Sequence, residues 1–294
     1  MVKNLLTLAA RAARVDDAAQ RTARYDYAVV YQALLARLRQ RFGDRLSGIR
    51  VLDFGCGYRY PNVVLLSRDV GEMVGVEVAP LFRDGWRAPV MEPIRRRKLG
   101  TALESVLDYS QAARYYRHLE RLTDAPVQHE AYRIARYDGS RLPFEDGSFD
   151  CVISNAVLQE LPLPMERFAR EIARVLRPGG SIDLEWHNFH SLSGNYRDPA
   201  DSRREPWGHL LGGYYHPSLN RLSPAEMRHA FSPWFEELET LGHDREYRLS
   251  ADPGFTQEGE ELLSPELARR LEEYPREWLV TRGYILQGVV SGEW

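Results

Sequence analysis

The chain has 294 residues, of which 44% are hydrophobic and 28% are charged, which is close to the average of soluble globular proteins. This composition excludes a disordered or fibrous chain, and the length fits one large domain or two small ones. The chain has 39 Lys and Arg residues and 42 Asp and Glu residues, so its net charge is −3. This charge disfavours general nucleic-acid binding, because proteins that bind phosphate backbones are usually basic.

Cysteine content and hydropathy bear on the cellular setting. Cys56 and Cys151 are too few for a disulfide framework and no Cys-x-x-Cys occurs, so a reduced, cytoplasmic location is predicted. No stretch approaches the roughly 18–20 uninterrupted apolar residues of a membrane span. Residues 1–24 are rich in Arg and Ala, as transit peptides can be, but Asp16 and Asp17 favour a helix packed on the protein body.

Hydrophobic spacing predicts one or two helices over residues 5–42, and residues 1–42 are interpreted as a helical lid segment. Short apolar runs beyond it predict buried strands, and amphipathic runs predict helices between them. The predicted strands are 49–55, 72–78, 149–157, 181–187, 235–242 and 278–290. The predicted helices are 101–122, 164–176, which RPGG closes, and 223–231, which Ser223 caps.

This alternation of strands and helices predicts an α/β fold with a parallel sheet covered on both faces. Residues 43–294 are interpreted as one elaborated domain. Two stretches, at about 79–137 and 187–222, exceed the minimal alternation and are predicted to be insertions that form a cap above the sheet, where binding loops lie.

A glycine-rich loop follows the first predicted strand in the run VLDFGCG (51–57). Glycines at this point allow a tight turn and a close approach of the backbone to a ligand. Glu77 ends the second predicted strand, 24 residues after Asp53, near the position of the acid that binds ribose hydroxyls. A carboxylate there offers two acceptor oxygens to a vicinal diol.

Together with this loop, four further runs resemble class I S-adenosylmethionine-dependent methyltransferases, and most closely their small-molecule group, which includes the ubiquinone-biosynthesis enzymes. These runs are GVEV (75–78), YDG (137–139), LPFEDGSFDCVISNAVLQEL (142–161) and RVLRPGG (174–180). The resemblance is strong over about 49–186 and weaker over 223–290. It implies a Rossmann-like, seven-stranded sheet whose last strand runs antiparallel, with S-adenosylmethionine as the cofactor and S-adenosylhomocysteine as the product.

The resemblance also implies a role for individual positions. Residues Asp53, Gly55 and Gly57 would flank the methionine part of the cofactor, and Glu77 would bind its ribose. Asp138, with its neighbour Gly139, would bind the adenine, and Asn155 would lie near the sulfonium. One departure is that Tyr58, Arg59, Tyr60 and Pro61 stand where the family usually has a third glycine or a small residue, so Arg59 could pair with the cofactor carboxylate.

A nicotinamide-dependent dehydrogenase shares the arrangement of strand, glycine loop, helix and acid. The full G-x-G-x-x-G is missing, however, and the block from Phe149 to Gly180 is methyltransferase-like, so methyl transfer is the preferred interpretation. A protein of the same fold that binds the cofactor without catalysis, as a regulatory or assembly partner, remains open.

His187 directly follows the predicted strand 181–187 and is interpreted as the general base, with Glu160 and His190 as further candidates. A base favours O-methylation of a hydroxylated small molecule, such as a sugar, phenol or polyketide. N- or C-methylation on the same fold remains the alternative. His187 and His190 could also join Glu185 and His216 in a metal site, so a divalent metal stays open without being expected.

Two clusters have both a functional and a structural interpretation. Five aromatic residues follow the strand 181–187 and favour a ligand pocket, although aromatic residues are also ordinary core material. They are Trp186, Trp207, Tyr214, Tyr215 and Trp234. The basic cluster 95–98 could bind an acidic acceptor or form a solvated helix face. The predicted partner is thus a small-molecule acceptor, with a homo-oligomer left open.

Overall fold

A computed structural model of the protein describes residues 12, 14–85, 91, 99–137, 139, 141–194, 199–214, 216–244, 249–250 and 257–291. The chain divides into two compact units. The first unit comprises Met1–Gly48 and Cys56–Arg136, and the second unit comprises Ile49–Gly55 and Tyr137–Trp294.

The described helices fall into an amino-terminal group, a group between the strands and a carboxyl-terminal group. They are α1 (Val15–Tyr25), a π-helix (Asp26–Tyr31), α2 (Gln32–Phe42), α3 (Pro61–Leu66), α4 (Leu99–Thr123), α5 (Met165–Val175), α6 (Pro199–Arg204), α7 (Pro224–Phe231), α8 (Gln257–Leu262), α9 (Pro265–Arg270) and α10 (Arg276–Val280). None of these described helices is both long and apolar enough to cross a membrane.

The described strands form one mixed sheet. They are β1 (Arg50–Phe54), β2 (Glu72–Glu77), β3 (Arg133–Arg136), β4 (Phe149–Asn155), β5 (Leu176–His187), β6 (Phe235–His243), β7 (Leu249–Ser250) and β8 (Gly283–Val290). Their order is β3-β2-β1-β4-β5-β8-β6-β7. The predicted fold class is confirmed, with helices on both sides of the sheet, and the two-residue β7 is an edge addition to the seven-stranded sheet that the resemblance implies.

In the first unit, the helical stretch from Val15 to Phe42 buries small apolar residues on one face. Val15, Ala19 and Ala23 recur every four residues, which is the spacing of one helix face, and all three are buried. Asp16 ties α1 to α4, with its Oδ1 3.2 Å from Nε2 of His118. The predicted amino-terminal helices are therefore present within the described residues.

In the second unit, β5 lies between β4, which runs parallel to it, and β8, which runs antiparallel. The predicted antiparallel last strand is thus confirmed. Helix α7 begins with a reciprocal cap, in which Ser223 Oγ accepts from the backbone N–H of Glu226 and the Glu226 carboxylate accepts from the Ser223 N–H. This agrees with the capping residue predicted from the sequence.

Two predicted elements differ from the structure. The strand predicted at 278–290 begins only at Gly283, because Pro275 opens the short helix α10, whose Leu279 and Val280 pack into an apolar cluster with Trp207. Strand β3 lies inside the stretch 79–137 that was interpreted as an insertion. Its residues are exposed or half-buried, so the apolar run that marks the other strands is missing.

Candidate active site

In the first unit, the glycine loop is bound directly to the acid at the end of β2. The backbone N–H of Gly57 donates to Oε2 of Glu77 at 2.8 Å. The other carboxylate oxygen, Oε1, accepts from the N–H groups of Val78 at 2.7 Å and Ala79 at 2.9 Å. Three backbone donors therefore fix the orientation of the Glu77 carboxylate.

An ionised carboxylate can accept about four hydrogen bonds, so this one retains acceptor capacity for a ligand. Glu77 is half-buried, and that capacity is accessible. Gly57 has a φ of +75° and no heavy atom within 4 Å of the place where a Cβ would stand. The loop thus offers an open cradle beside an oriented acceptor, which suits the ribose of a nucleoside.

Gly55 belongs to the second unit and has a different reason to be glycine. Its φ is +69°, and a Cβ there would stand 2.5 Å from Cγ2 of Val157. Backbone conformation and side-chain packing therefore both exclude a larger residue.

Substituting the two glycines separately should show this difference. Gly55→Ala is expected to destabilise the protein by about 3 kcal/mol, since left-handed strain adds to the clash with Val157. Gly57→Ala meets open space and should cost only about 1 kcal/mol of strain. Denaturant unfolding of both variants measures the difference, and equal losses of stability would contradict the packing argument.

Tyr60, one of the bulky residues that follow the glycine loop, packs within the first unit. Tyr60 adopts a left-handed conformation with a φ of 39°, directly before Pro61 begins α3. Its side chain is fully buried, and its hydroxyl lies 2.7 Å from Nδ1 of His129. Burial raises the pKa of Tyr60 to about 12 and lowers that of His129. Tyr60 therefore serves the core where the family usually has a small residue.

Arg59 interacts with Tyr115 and Asp26 of the first unit. Its guanidinium carbon lies 4.6 Å from the centre of the Tyr115 ring, a cation–π contact. The carboxylate of Asp26, on the π-helix, belongs to the same group: burial raises its pKa, while the charge of Arg59 and the Tyr115 hydroxyl act to lower it. A π-turn in an otherwise α-helical stretch is frequent at functional positions. The predicted pairing of Arg59 with a cofactor carboxylate remains a proposal.

A cavity of about 560 Å³ adjoins these residues in the first unit, a size typical of small-molecule sites. It is lined by Tyr58 and Arg59 of the loop, by Ala79 and Pro80 after β2, and by α4. Ala79 is one of the three backbone donors to Glu77, so the cavity begins beside the oriented carboxylate.

The second unit holds most of the remaining predicted cofactor residues. Asp53 is buried in β1, opposite Ile153 of β4. Asn155 is the last residue of β4 and lies in register with Glu185. Gly139 is exposed with a φ of +89°. Asp138 lies outside the described residues.

His187 ends β5 and lies beside the loop that follows β4. Its Nε2 is 3.3 Å from Oγ of Ser193, and its backbone N–H donates to Oε1 of Gln159. Burial, together with a smaller contribution from the charge of Arg282, lowers the pKa of His187 to about 4. The ring is therefore neutral near pH 7 and retains a nitrogen lone pair that can accept a proton.

The other two candidate bases lie in different surroundings. His190 is buried, with its ring centroid 5.1 Å from that of Trp278 and 5.5 Å from that of Tyr274. Burial lowers its pKa to about 4, with a smaller contribution from the charge of His209. The side chain of Glu160 is exposed, whereas its neighbour Gln159 is buried and donates from Nε2 to the Ala156 carbonyl at 2.8 Å.

Residues 97–183 match a family described as "Methyltransferase domain". This stretch is less than a third of the chain. The match supports the resemblance to class I S-adenosylmethionine-dependent methyltransferases, while the small-molecule subgroup stays a prediction.

Relatives of the chain match it over short stretches. An uncharacterized protein in transposon TN4556 of Streptomyces fradiae is 44% identical over 73 residues, which is 25% of this chain and 21% of that protein. An uncharacterized methyltransferase of Mycobacterium sp. strain JLS is 42% identical over 61 residues, 21% of this chain and 24% of the relative. The matches thus span less than a quarter of these relatives.

Among solved structures, a SAM-dependent methyltransferase from Archaeoglobus fulgidus aligns with a TM-score of 0.47 at 14% identity, covering 88% of this chain and 94% of that one.

The described residues also include a buried carboxylate–histidine pair, Glu185 and His243, that the sequence analysis did not predict. Oε1 of Glu185 lies 3.0 Å from Nε2 of His243, and its Oε2 accepts from the Ala156 N–H at 2.6 Å. Burial would raise the pKa of Glu185, but the hydrogen bond and charge of His243 outweigh it and lower the pKa. The signal in the sequence was a histidine at the end of a predicted strand, just beyond residues 235–242.

Three further predictions concerned a metal site, a cluster of aromatic residues and the basic cluster 95–98. No group of three or more His, Cys, Asp or Glu side chains in the described part of the chain could hold a metal ion. Trp186 and Trp207 are fully buried core residues, whereas Tyr214 is exposed. Tyr215 and the basic cluster 95–98 lie outside the described residues.

Proposed function

We propose that the protein is an S-adenosylmethionine-dependent methyltransferase. One observation carries the proposal: the Glu77 carboxylate, oriented by the N–H groups of Gly57, Val78 and Ala79, stands beside the open Gly57 cradle. A carboxylate held in this way selects a ribose diol and repels a ribose phosphate. The methyltransferase-domain match supports the same activity.

The chain's own residues fit this cofactor. Glu77 would bind the ribose, Gly55 and Gly57 would let the backbone approach the ligand, and Asp53 and Asn155 would complete the methionine side, with Asp138 and Gly139 on the adenine side. When bound, S-adenosylmethionine supplies an already activated methyl group. The protein then has to orient the acceptor, exclude water and remove a proton where the acceptor is a hydroxyl.

We propose O-methylation of a hydroxylated small molecule, with His187 as the general base and Glu160 and His190 as alternatives. The neutral ring of His187 supports this role, because only the unprotonated form accepts a proton. The burial that keeps the ring neutral also makes it a weak base. A weak base favours an acidic hydroxyl, so among sugar, phenol and polyketide acceptors the phenolic hydroxyl, with a pKa of about 10, fits best.

Calorimetric titration of the full chain with S-adenosylmethionine, S-adenosylhomocysteine and NAD tests the proposed cofactor. Saturable binding of the first two without NAD binding is expected, and NAD binding alone would favour a dehydrogenase. A transfer assay with labelled donor and extracts of the producing cells then tests catalysis. Cofactor binding without transfer to any extract component would favour a regulatory or assembly protein. We also propose a reduced, cytoplasmic setting, because the chain has only two cysteines and both, Cys56 and Cys151, are buried thiols.

We also propose that the amino-terminal helices act as a lid. Asp26 faces Arg59, which directly follows the glycine loop, so a ligand on that loop should stabilise the π-helix. Residues 1–30 are expected to become more resistant to proteolysis when S-adenosylhomocysteine binds. Asp26→Ala should remove this protection, and the exposed Asp44→Ala should retain it. Identical digestion of the native protein with and without ligand would argue against a lid.

A further inference from the structure

A second cavity lies in the second unit, at the opposite ends of the strands from the proposed active site. Its volume is about 730 Å³, and it is formed by residues 141–147, helix α5 and the beginning of β5. β1, β4 and β5 run parallel, so Gly55, Asn155 and His187 all lie at carboxyl-terminal strand ends. This cavity instead lies where β4 and β5 begin. We call it the arginine cavity, after its lining residues Arg141, Arg167, Arg170 and Arg174.

One wall of the arginine cavity is fixed by Arg174. Its guanidinium donates to both carboxylate oxygens of Glu171, at 2.6 and 2.9 Å, and to Oδ1 of Asp146 at 2.6 Å. It also donates to the carbonyls of Leu142 and Phe144. The Leu142 N–H in turn donates to Glu171. Arg174 thus links the loop 142–146 to α5. It also forms ion pairs with Asp146 and Glu171, the two carboxylates that line the cavity.

The other arginines keep their charge available. Arg167, Arg170 and Arg174 are spaced so that they share one face of α5. Arg167 and Arg170 are exposed, and no carboxylate in the described part of the chain forms an ion pair with either of them. Among the described carboxylates, Arg141 pairs with Asp146 alone, at 3.5 Å, and that carboxylate is already bonded to Arg174. Three guanidinium groups therefore converge on the cavity with little compensation.

The floor of the cavity is apolar. The buried residues Ala173 and Leu176 form it, and Pro178, near the start of β5, also lines the cavity. A solvated helix face would present its charges to open water. Here the charges surround an apolar surface inside a cavity whose volume is typical of small-molecule sites. Guanidinium groups bind phosphate oxygens through paired, charge-assisted hydrogen bonds.

We propose that the arginine cavity binds a phosphorylated small organic molecule, with the phosphate groups at Arg141, Arg167 and Arg170 and the organic part on the Ala173–Leu176 floor. The site is distinct from the proposed cofactor site, and it does not require the proposed methyl transfer. A nucleic acid fits less well, because the chain carries a net charge of −3.

Calorimetric titration with uridine diphosphate as the probe tests this proposal, using uridine, pyrophosphate and citrate as comparisons. Uridine diphosphate should bind the native chain, pyrophosphate more weakly, and uridine and citrate not measurably. The double variant Arg167→Ala/Arg170→Ala should bind uridine diphosphate at least tenfold more weakly. The matched control Arg228→Ala/Arg269→Ala, which replaces two exposed helix arginines outside the cavity, should bind like the native chain.

The titration is repeated with saturating S-adenosylhomocysteine, and unchanged affinity for uridine diphosphate is expected. Lack of binding by the native chain, equal affinity in the double variant, or loss of binding with S-adenosylhomocysteine would each overturn the proposal. Citrate binding as tight as that of uridine diphosphate would overturn the phosphate assignment. Tighter binding of a single-stranded oligonucleotide, lost in the same variant, would assign the face to nucleic acid instead.

Discussion

Glu77→Ala is expected to weaken S-adenosylmethionine binding by about a hundredfold, which corresponds to about 2.7 kcal/mol. The substitution removes charge-assisted hydrogen bonds to the ribose, each worth about 1.5–3 kcal/mol. It also releases the N–H groups of Gly57, Val78 and Ala79 from the carboxylate that holds the loop. Calorimetric titration of the variant against the native chain measures the change.

Two further variants isolate the charge of Glu77. Glu77→Gln keeps one acceptor oxygen and should lose an intermediate amount of affinity. Glu72→Ala removes an exposed carboxylate at the other end of β2, where Glu72 pairs with Arg133 at 2.8 Å, and should bind as the native chain does. Unchanged affinity in a folded Glu77→Ala variant would refute the assignment of the ribose site.

His187→Ala is expected to lower turnover by roughly 10²–10⁴-fold while leaving S-adenosylmethionine affinity nearly intact, because a positioned base contributes to the reaction and not to cofactor binding. The transfer assay and calorimetry together measure the two effects. His216→Ala, which removes an exposed histidine, is the matched control and should turn over normally. Normal turnover by His187→Ala would transfer the base role to Glu160 or His190, or favour a base-free N-methylation.

The pH profile tests the same assignment independently. Because burial lowers the pKa of His187 to about 4, its ring loses its base function only as the pH falls through about 4. Turnover should therefore be level from neutral pH down to about pH 5 and decline below it. A decline centred near pH 6.5 would indicate a histidine with an ordinary pKa, and so a base other than His187.

The predictable part of the fold was the part encoded by continuous local patterns. β1 and β4 are buried throughout or nearly so, so their apolar runs stand out in the sequence. The amino-terminal cap of α7 was also predictable, because Ser223 and Glu226 lie only three residues apart in the sequence. β3 was missed because its burial is partial, and α10 was taken as strand because five residues are too few to show a helical period.

The candidate site also has features that the sequence predicted and features that it did not. The proximity of Gly57 to Glu77 followed from a spacing common to nucleotide-binding folds. The Glu185–His243 pair and the position of Arg59 beside Asp26 depend instead on packing between elements far apart in sequence. No local pattern records such a pairing. The Arg174 network across the arginine cavity was likewise beyond prediction, because it joins residues 142–146 to α5.

The position of β8 between β5 and β6 has a consequence for synthesis on the ribosome. Among the described strands, β8 is translated last, yet it pairs with β5 from Ser181 to His187 and with β6 on its other side. About 95 residues separate the end of β5 from the start of β8, which is roughly 5–20 s of translation. Throughout that interval the nascent chain carries an open, apolar strand edge around Ile182 and Leu184 that can pair with other chains. Protection of this edge by a chaperone during translation is therefore expected to raise the yield of folded protein.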